Sequence, residues 1–207
     1  MTARTHRKAW AAVVLALALI AGVAAAETLE GKLLVATPSM PDGYFAHSVI
    51  YMLQHDETGA MGVVVNIPMG VLPFASIFKG LGVEPGIDGD LADTPVRVYS
   101  GGPVNSGQGF ILHGDGHRDE NTPDDSLIEA GGLTLSTSIE LMRSIAAGKG
   151  PRRSLLLFGY AGWGPGQLEG ELMRDDWVAV TADEDLVFGS DDETKWRRSL
   201  DRLEIDL

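Results

Sequence analysis

The sequence predicts a single α+β domain with a mostly antiparallel sheet. Three observations carry this expectation. The chain has 207 residues and is 44% hydrophobic, enough for one domain with a full core. Two strongly apolar, β-branched runs flank a short polar loop in the pattern of a hairpin. Strands come first and helices mix with strands later, with no regular strand–helix–strand repeat, which disfavours a parallel doubly wound sheet.

The elements follow in order. Residues 32–36 read as a strand closed by Pro38 and Pro41. "SVIYMLQ", residues 48–54, is apolar on both alternating sets, so it reads as a central strand. "HDETGAMG" reads as a turn and "VVVN" as the returning strand. "FASIFKGLG" reads as a short helix stopped by Gly80 or Gly82. Residues 84–95 read as an acidic surface loop, "VRVYS" as a strand, "GGPV" as a tight turn and "GFILH" as a strand. A second acidic loop, "GDGHRDENTPDDS", follows. "LTLST" leads into a helix through a capping box in which Thr137 and Glu140 bond reciprocally. Leu141, Met142 and Ile145 give that helix one apolar face, and Gly148 ends it. "SLLLFGY" reads as a buried strand, followed by a glycine-rich loop and a helix over 167–174. "DWVAVTA" reads as a strand that "DLVF" extends or pairs with. A last helix starts at Asp191 or Asp192, with Trp196, Leu200 and Leu203 on one face.

The first 26 residues are a separate object. "MTARTHRK" is basic, the next stretch is uninterruptedly apolar, and Ala24-Ala25-Ala26 precede Glu27. This is the pattern of a secretory signal peptide, so the expected location is the periplasm. The alternatives are an uncleaved inner-membrane anchor, or a cytoplasmic protein whose start is misassigned. The rest, 27–207, is the expected domain, and it contains no candidate membrane span. The leader takes three of the 16 Lys and Arg and none of the 29 Asp and Glu, which leaves 13 against 29, or a net charge of −16. Such a field repels nucleic acid, whose binding depends on neutralising phosphates. The absence of cysteine excludes disulfides, thiolate metal sites and cysteine nucleophiles.

Candidate chemistry is sparse. "GYAGWGPGQLEGEL", 159–172, has a strand–glycine–helix layout like a phosphate cradle. The dinucleotide fingerprint fails because Gln167 stands where its third glycine belongs, and the P-loop fails because Pro165-Gly166 replaces Lys-Ser or Lys-Thr. Glu169 and Glu171 in the following helix also compete with a bound anion. A groove lined by Tyr160 and Trp163, with Gln167 and Glu169 as polar contacts, is the surviving expectation, and its ligand would be neutral or apolar. His113, Asp115 and His117 alternate, and in an extended segment they would share a face toward a divalent ion; this is the only metal candidate, and it is weak. Ser76 and Lys79 have the Ser-x-x-Lys spacing but lack the companion motifs. Ser48 and Asn66 read first as local backbone bonds. Gly101 and Gly102 read as turn residues that would present backbone donors to a partner.

Several stretches together resemble the YqgE/AlgH family of bacterial proteins: "LLVATPSMPDGYFAHSVIYMLQHDETGAMGVVVNIPM", "SGGPVNSGQGFILH", "LTLSTSIELM" and "LLLFGYAGWGPGQLEGELMRDDWVAV". The tail "KWRRSLDRLEIDL" is similar to the family's last helix. The resemblance spans residues 31–207 and implies a bifurcated sheet curled into a pseudo-barrel with flanking helices. It implies no catalytic residues and no cofactor, because the family is described as candidate transcriptional regulators or as proteins of unknown function. The chain departs from the family pattern at Ile67, where a lysine is usual before the proline, and in carrying a leader. The expected function is therefore that of an exported, non-enzymatic binding protein whose partner is an unidentified protein or a small neutral or apolar ligand. The alternatives are a cytoplasmic transcriptional regulator and a metal-dependent hydrolase built on His113, Asp115 and His117.

Overall fold

A computed structural model describes residues 28–114 and 127–204. Among the described residues, ten strands form one curled, mainly antiparallel half-barrel flanked by six helices. The strands are β1 (Lys32–Ala36), β2 (Val49–Asp56), β3 (Gly59–Val64), β4 (Pro68–Pro73), β5 (Pro95–Ser100), β6 (Val104–His113), β7 (Leu127–Ala130), β8 (Leu133–Ser136), β9 (Ser154–Trp163) and β10 (Trp177–Thr181). The helices are α1 (Phe74–Gly80), α2 (Gly89–Ala92), α3 (Ile139–Ala146), α4 (Gln167–Met173), α5 (Glu184–Phe188) and α6 (Asp192–Asp201), the last continued by a 3₁₀ turn (Arg202–Glu204).

The main path of the sheet is β10-β1-β2-β3-β9-β6-β8-β7. The β2–β3 pair is the expected hairpin. Its turn is shorter than the sequence suggests, because Asp56 Oδ1 accepts from both the amide and the hydroxyl of Thr58 and closes the corner locally. Strand β9 is where the sheet divides. It pairs with β6 over 154–158, runs parallel to β5 at 156–158, and pairs with β3 at 161–163. One edge of β9 thus meets two strands in succession. Gly101 lies at the split, its carbonyl accepting from Val64 N and its amide donating to Phe158 O.

Because strands β1 to β3 are covered on both faces, one sheet yields two cores. Leu33, Val35, Tyr51, Leu53, Val63 and Leu157 face the interior of the curl, where Trp196 and Leu200 of α6 close it. Leu34, Ala36, Ile50, Met52, Val64 and Trp163 face outward beneath Leu168 of α4. A third cluster packs α1 and α3 on Val98, Ile111 and Leu156. Tyr51 sits in the first core with its hydroxyl donating to Ala130 O at 2.6 Å, and burial pushes its pKa up to about 12.

Several elements differ from the sequence reading. "DLVF" is the helix α5 rather than strand, because Asp183 caps it, accepting from Leu186 N at 2.8 Å. Helix α3 is capped by Ser138, not by Thr137: Ser138 Oγ accepts from Leu141 N, while Glu140 turns outward to pair with Arg143. The "GYAGW" segment is the end of strand β9 and not loop, since β3 supplies pairing partners as far as Trp163. Strand β6 begins at Val104, so "GGPV" leads directly into strand. Strands β4 and β7 and the single helical turn α2 were not evident in the sequence, β4 because Pro68, Gly70 and Pro73 read as breakers; it lies outside the main sheet path, paired with β5. Among the described residues no helix is long and apolar enough to cross a membrane.

Candidate functional site

Ser76 and Lys79 lie on α1, and the other described residues singled out in the sequence fall into four places. Ser48 and Asn66 come together at the bend before β2. Ser48 is fully buried and its Oγ donates to Phe45 O at 2.7 Å. Asn66 clamps the same bend, accepting from Val49 N at 2.8 Å and donating to His47 O at 2.9 Å. His47 holds a φ of 61°, a left-handed conformation that this clamp fixes. Both side chains are spent on the bend.

Gly101 and Gly102 are buried rather than displayed at the surface. The amide of Gly101 is already bonded to Phe158 O, and Gly102 lies against the backbone of Tyr160, so neither has the solvent-facing position that presenting donors to a partner requires. The reason is the division of the sheet: the chain must pass through the split against β9.

His113 ends β6, fully buried between Thr134 of β8 and Ser154 of β9, with Nδ1 3.2 Å from Gly114 O. Asp115 and His117 lie outside the described residues. Among the described residues no group of three His, Asp or Glu side chains is placed to hold a metal ion.

The fourth place is the end of β9 and helix α4. Tyr160 is half-buried, belongs to the interior core, and meets the Phe110 ring edge-on at 6.2 Å. Trp163 belongs to the outer core and meets Trp177 edge-on at 6.0 Å. The two aromatic residues therefore sit on opposite faces of the sheet, and Trp163 stands between two clefts. The wider one, about 380 Å³, is lined by Gln54, Asp56, Met61, Val104, Tyr160 and Trp163. The narrower one, about 220 Å³, is lined by Met40, Phe45, Trp163, Gln167, Glu171 and Trp177 together with Asp42, Arg174 and Asp176.

Helix α4 splits the polar residues between two sides. Glu169 points away from both clefts and lies 3.1 Å from His55 Nε2. Because His55 Nδ1 accepts from Leu29 N, the ring proton sits on Nε2 and donates to Glu169. Gln167 joins the narrow cleft, accepting from Gly164 N and donating to Glu171 Oε1 at 2.9 Å.

Glu171 is the residue that sequence reasoning missed as a site member. Its Oε2 accepts from the indole N–H of both Trp163 and Trp177, each at 2.8 Å. Burial works to raise its pKa, but the hydrogen bonds from Gln167, Trp177 and Trp163 and the charge of Arg174 outweigh it, so the carboxyl sits below its ordinary value. The spacing Gln167–Glu171, one helical turn, was a usable signal; the two tryptophans, six and eight residues away, were not, because they come from different strands.

A pH prediction follows from this carboxylate. Its folded pKa lies below 4.5, so its contribution to stability is complete above that value and is lost as pH falls through the folded pKa. Glu171→Gln should cost about 1 to 2 kcal/mol at pH 7, since charge-assisted bonds become neutral ones. The gap between the two proteins should close as the pH drops below 4.5, measured by urea unfolding at stepped pH. A gap that stays constant down to pH 2.5 would remove the charged hydrogen-bond account.

Comparison with known proteins agrees with the geometry. A family model described as DUF179, AlgH-like, matches residues 33–207. A UPF0301 protein of Methylococcus capsulatus is 41% identical over 178 residues, covering 86% of this chain and 93% of the relative. One from Bradyrhizobium diazoefficiens is 40% identical over 181 residues, covering 86% and 83%. The names of these relatives assign no reaction. Among solved structures, the AlgH protein from Pseudomonas aeruginosa matches with a TM-score of 0.72 and 37% identity, covering 86% of this chain and 90% of that one. A Corynebacterium diphtheriae protein at 24% identity and a TM-score of 0.57, covering 79% and 81%, shares the fold. The β9–α4 corner that carries Trp163 and Glu171 lies inside the matched region, and with the identity and coverage just given, the chain belongs to the AlgH-like, UPF0301 family.

Proposed function

We propose that this protein is a non-enzymatic binding protein that works after export, and that its contact surface is the groove beside Tyr160. The observation that carries this is the groove itself: Tyr160, Met61 and Val104 give it an apolar floor, and Gln54, Asp56 and Thr58 give it a polar rim. That is the lining of a ligand or side-chain pocket, with apolar area for affinity and a few polar groups for orientation. Tyr160 suits the role because its ring is half-buried against Phe110 and so is held in place before anything binds. Export is supported by the basic start, apolar stretch and small residues before Glu27. The net charge of −16 beyond the leader opposes a direct role on DNA.

Two measurements test the two halves. Cell fractionation with N-terminal sequencing should find a periplasmic protein beginning at Glu27; a cytoplasmic protein beginning near residue 30 would overturn export. A library of neutral apolar fragments, screened by ligand-observed NMR, should give hits that Tyr160→Ala weakens about tenfold or more, the scale of burying one aromatic contact. Robust turnover of an ester, phosphate or peptide panel, abolished by changing Tyr160 or His113, would replace the binding reading with an enzymatic one.

A further inference from the structure

Strand β4 has an open edge. Among the described residues it pairs with β5 alone, and every residue from Pro68 to Leu72 is exposed. Its side chains Met69, Val71 and Leu72 are 62%, 59% and 42% exposed. Edge strands are usually protected by charges, prolines or bulges. Here Pro68, Pro73 and a register shift between Pro68 and Gly70 close the two ends, but Met69 to Leu72 carry no charge. The ladder shows which backbone groups are free. Phe74 N donates to Thr94 O just past the pair of Pro73 with Pro95. Bonded positions alternate in an antiparallel ladder, so Leu72 and Gly70 turn toward β5, and Val71 turns both its amide and its carbonyl outward. Val71 can therefore exchange two hydrogen bonds with an added strand.

A cleft of about 420 Å³ lies beside this edge, between Val71 and Arg97 on the sheet and Ser190, Asp191, Asp192 and Glu193 at the start of α6. Val71 and Arg97 are ladder partners and share that face, while Leu72 lies on the other. The cations here are already engaged. Arg97 Nη1 donates to Ser190 O and Asp192 Oδ2, each at 3.0 Å, and Lys195 Nζ lies 3.4 Å from Asp192 Oδ1. Asp191 caps α6 through Thr194 and has the charge of Arg198 nearby. Glu193 is exposed and, among the described residues, has no hydrogen bond or ion pair. Two arguments choose the occupant. An open edge of four residues falls far short of the roughly 1,200 Å² that a stable interface between two proteins buries. A second copy would also bring together two chains that each carry −16 beyond the leader. A short cationic strand fits the length of the edge, the free backbone groups and the sign of the charge.

We infer that β4 takes up a short extended peptide segment as an added antiparallel strand, with a lysine or arginine opposite Val71 reaching Glu193 and aliphatic neighbours packing on the face of Leu72. This site shares no residue with the Tyr160 groove.

The test is NMR titration of the purified, ¹⁵N-labelled protein at pH 7 with the peptide acetyl-KVKVK-amide. Two controls go with it: acetyl-EVEVE-amide, and the lysine peptide N-methylated at its central residue. The lysine peptide should bind saturably with a Kd of about 1 mM or tighter, and the amide shifts should centre on Val71. The glutamate peptide should bind about tenfold more weakly or not at all, because the field repels it. The N-methylated peptide keeps the charge and the side chains but loses the donor that faces Val71 O, and it should weaken to a similar degree. Glu193→Gln should weaken the lysine peptide about twofold to fivefold, the scale of an exposed ion pair. Val71→Lys, at an exposed position, should weaken it about tenfold or more without moving the melting point. Tyr160→Ala should leave peptide binding unchanged. Shifts centred away from β4, equal affinity for the N-methylated peptide, or equal affinity for the glutamate peptide would overturn the proposal. A concentration-dependent dimer whose shifts centre on β4, and which the lysine peptide does not dissociate, would assign the edge to a second copy instead. Failure here leaves the fragment result in the Tyr160 groove standing, and failure there leaves this one standing.

Discussion

Gly102→Ala is expected to lower the unfolding free energy by more than about 4 kcal/mol, in the range reserved for direct backbone conflict. A Cβ at this position would stand 2.1 Å from Tyr160 C, 2.2 Å from Tyr160 O and 2.4 Å from Ala161 N. All three are main-chain atoms of β9, so no side chain can rotate away. The backbone φ of 150° adds strain for any residue with a side chain. Strand β9 cannot retreat either, since β3, β5 and β6 hold it along its length. For a chain of this size the midpoint of thermal unfolding should fall by roughly 10 °C or more. Gly43→Ala is the control, because nothing lies within 4 Å of its added Cβ, and its melting point should stay within about 2 °C of the parent. A Gly102→Ala protein that melts with the parent would mean that the sheet is not divided by a chain lying this close to β9.

Lys195→Met is expected to cost about 3 kcal/mol, the scale of breaking a buried ion pair from one side. Lys195 on α6 is fully buried. Its ammonium donates to Val65 O at 2.7 Å and Val187 O at 3.0 Å and lies 3.4 Å from Asp192 Oδ1. It therefore ties together the residue that follows β3, the end of α5 and the start of α6. Burial lowers its pKa, and the nearby Asp192 opposes that shift. Methionine fills most of the volume but leaves two carbonyls unsatisfied and removes one partner of Asp192, which keeps Arg97 Nη1 at 3.0 Å. Calorimetric melting should show a drop of about 6 to 12 °C. In an Asp192→Asn background the same change should cost about 1 to 2 kcal/mol less, because the carboxylate it would have stranded is gone. Equal cost in both backgrounds would show that the carbonyl bonds, and not the ion pair, carry the effect.

These two positions show where sequence reading stops. Gly102 sits in a "GGPV" stretch that reads as a turn, and only the path of β5, β3 and β9 shows it to be a crossing. Lys195 sits on a helix whose apolar face was visible in Trp196, Leu200 and Leu203, yet nothing along the chain marks this one lysine as buried. Its carbonyl partners are 130 and 8 residues away. Glu171 is the same case at the candidate site. The Tyr160–Trp163 pair was legible as a place of interest, but the two rings go to different cores because β9 continues as strand through them and its side chains face both sides of the sheet.

By itself the sequence determined the family, the single α+β domain, the β2–β3 hairpin, and the positions of the central strands and of the last helix. Those features depend on residues near one another in the chain: runs of apolar residues, caps and turn residues act over a few positions. It also determined the acidic charge, which is a sum and needs no geometry. The tertiary structure decided which strands share β9, that Gly101 and Gly102 are buried at the split, that "DLVF" is helix, and that Glu171 rather than Glu169 faces the tryptophans. Each of these depends on a contact between segments far apart in sequence, where the energy of packing and pairing exceeds local preference.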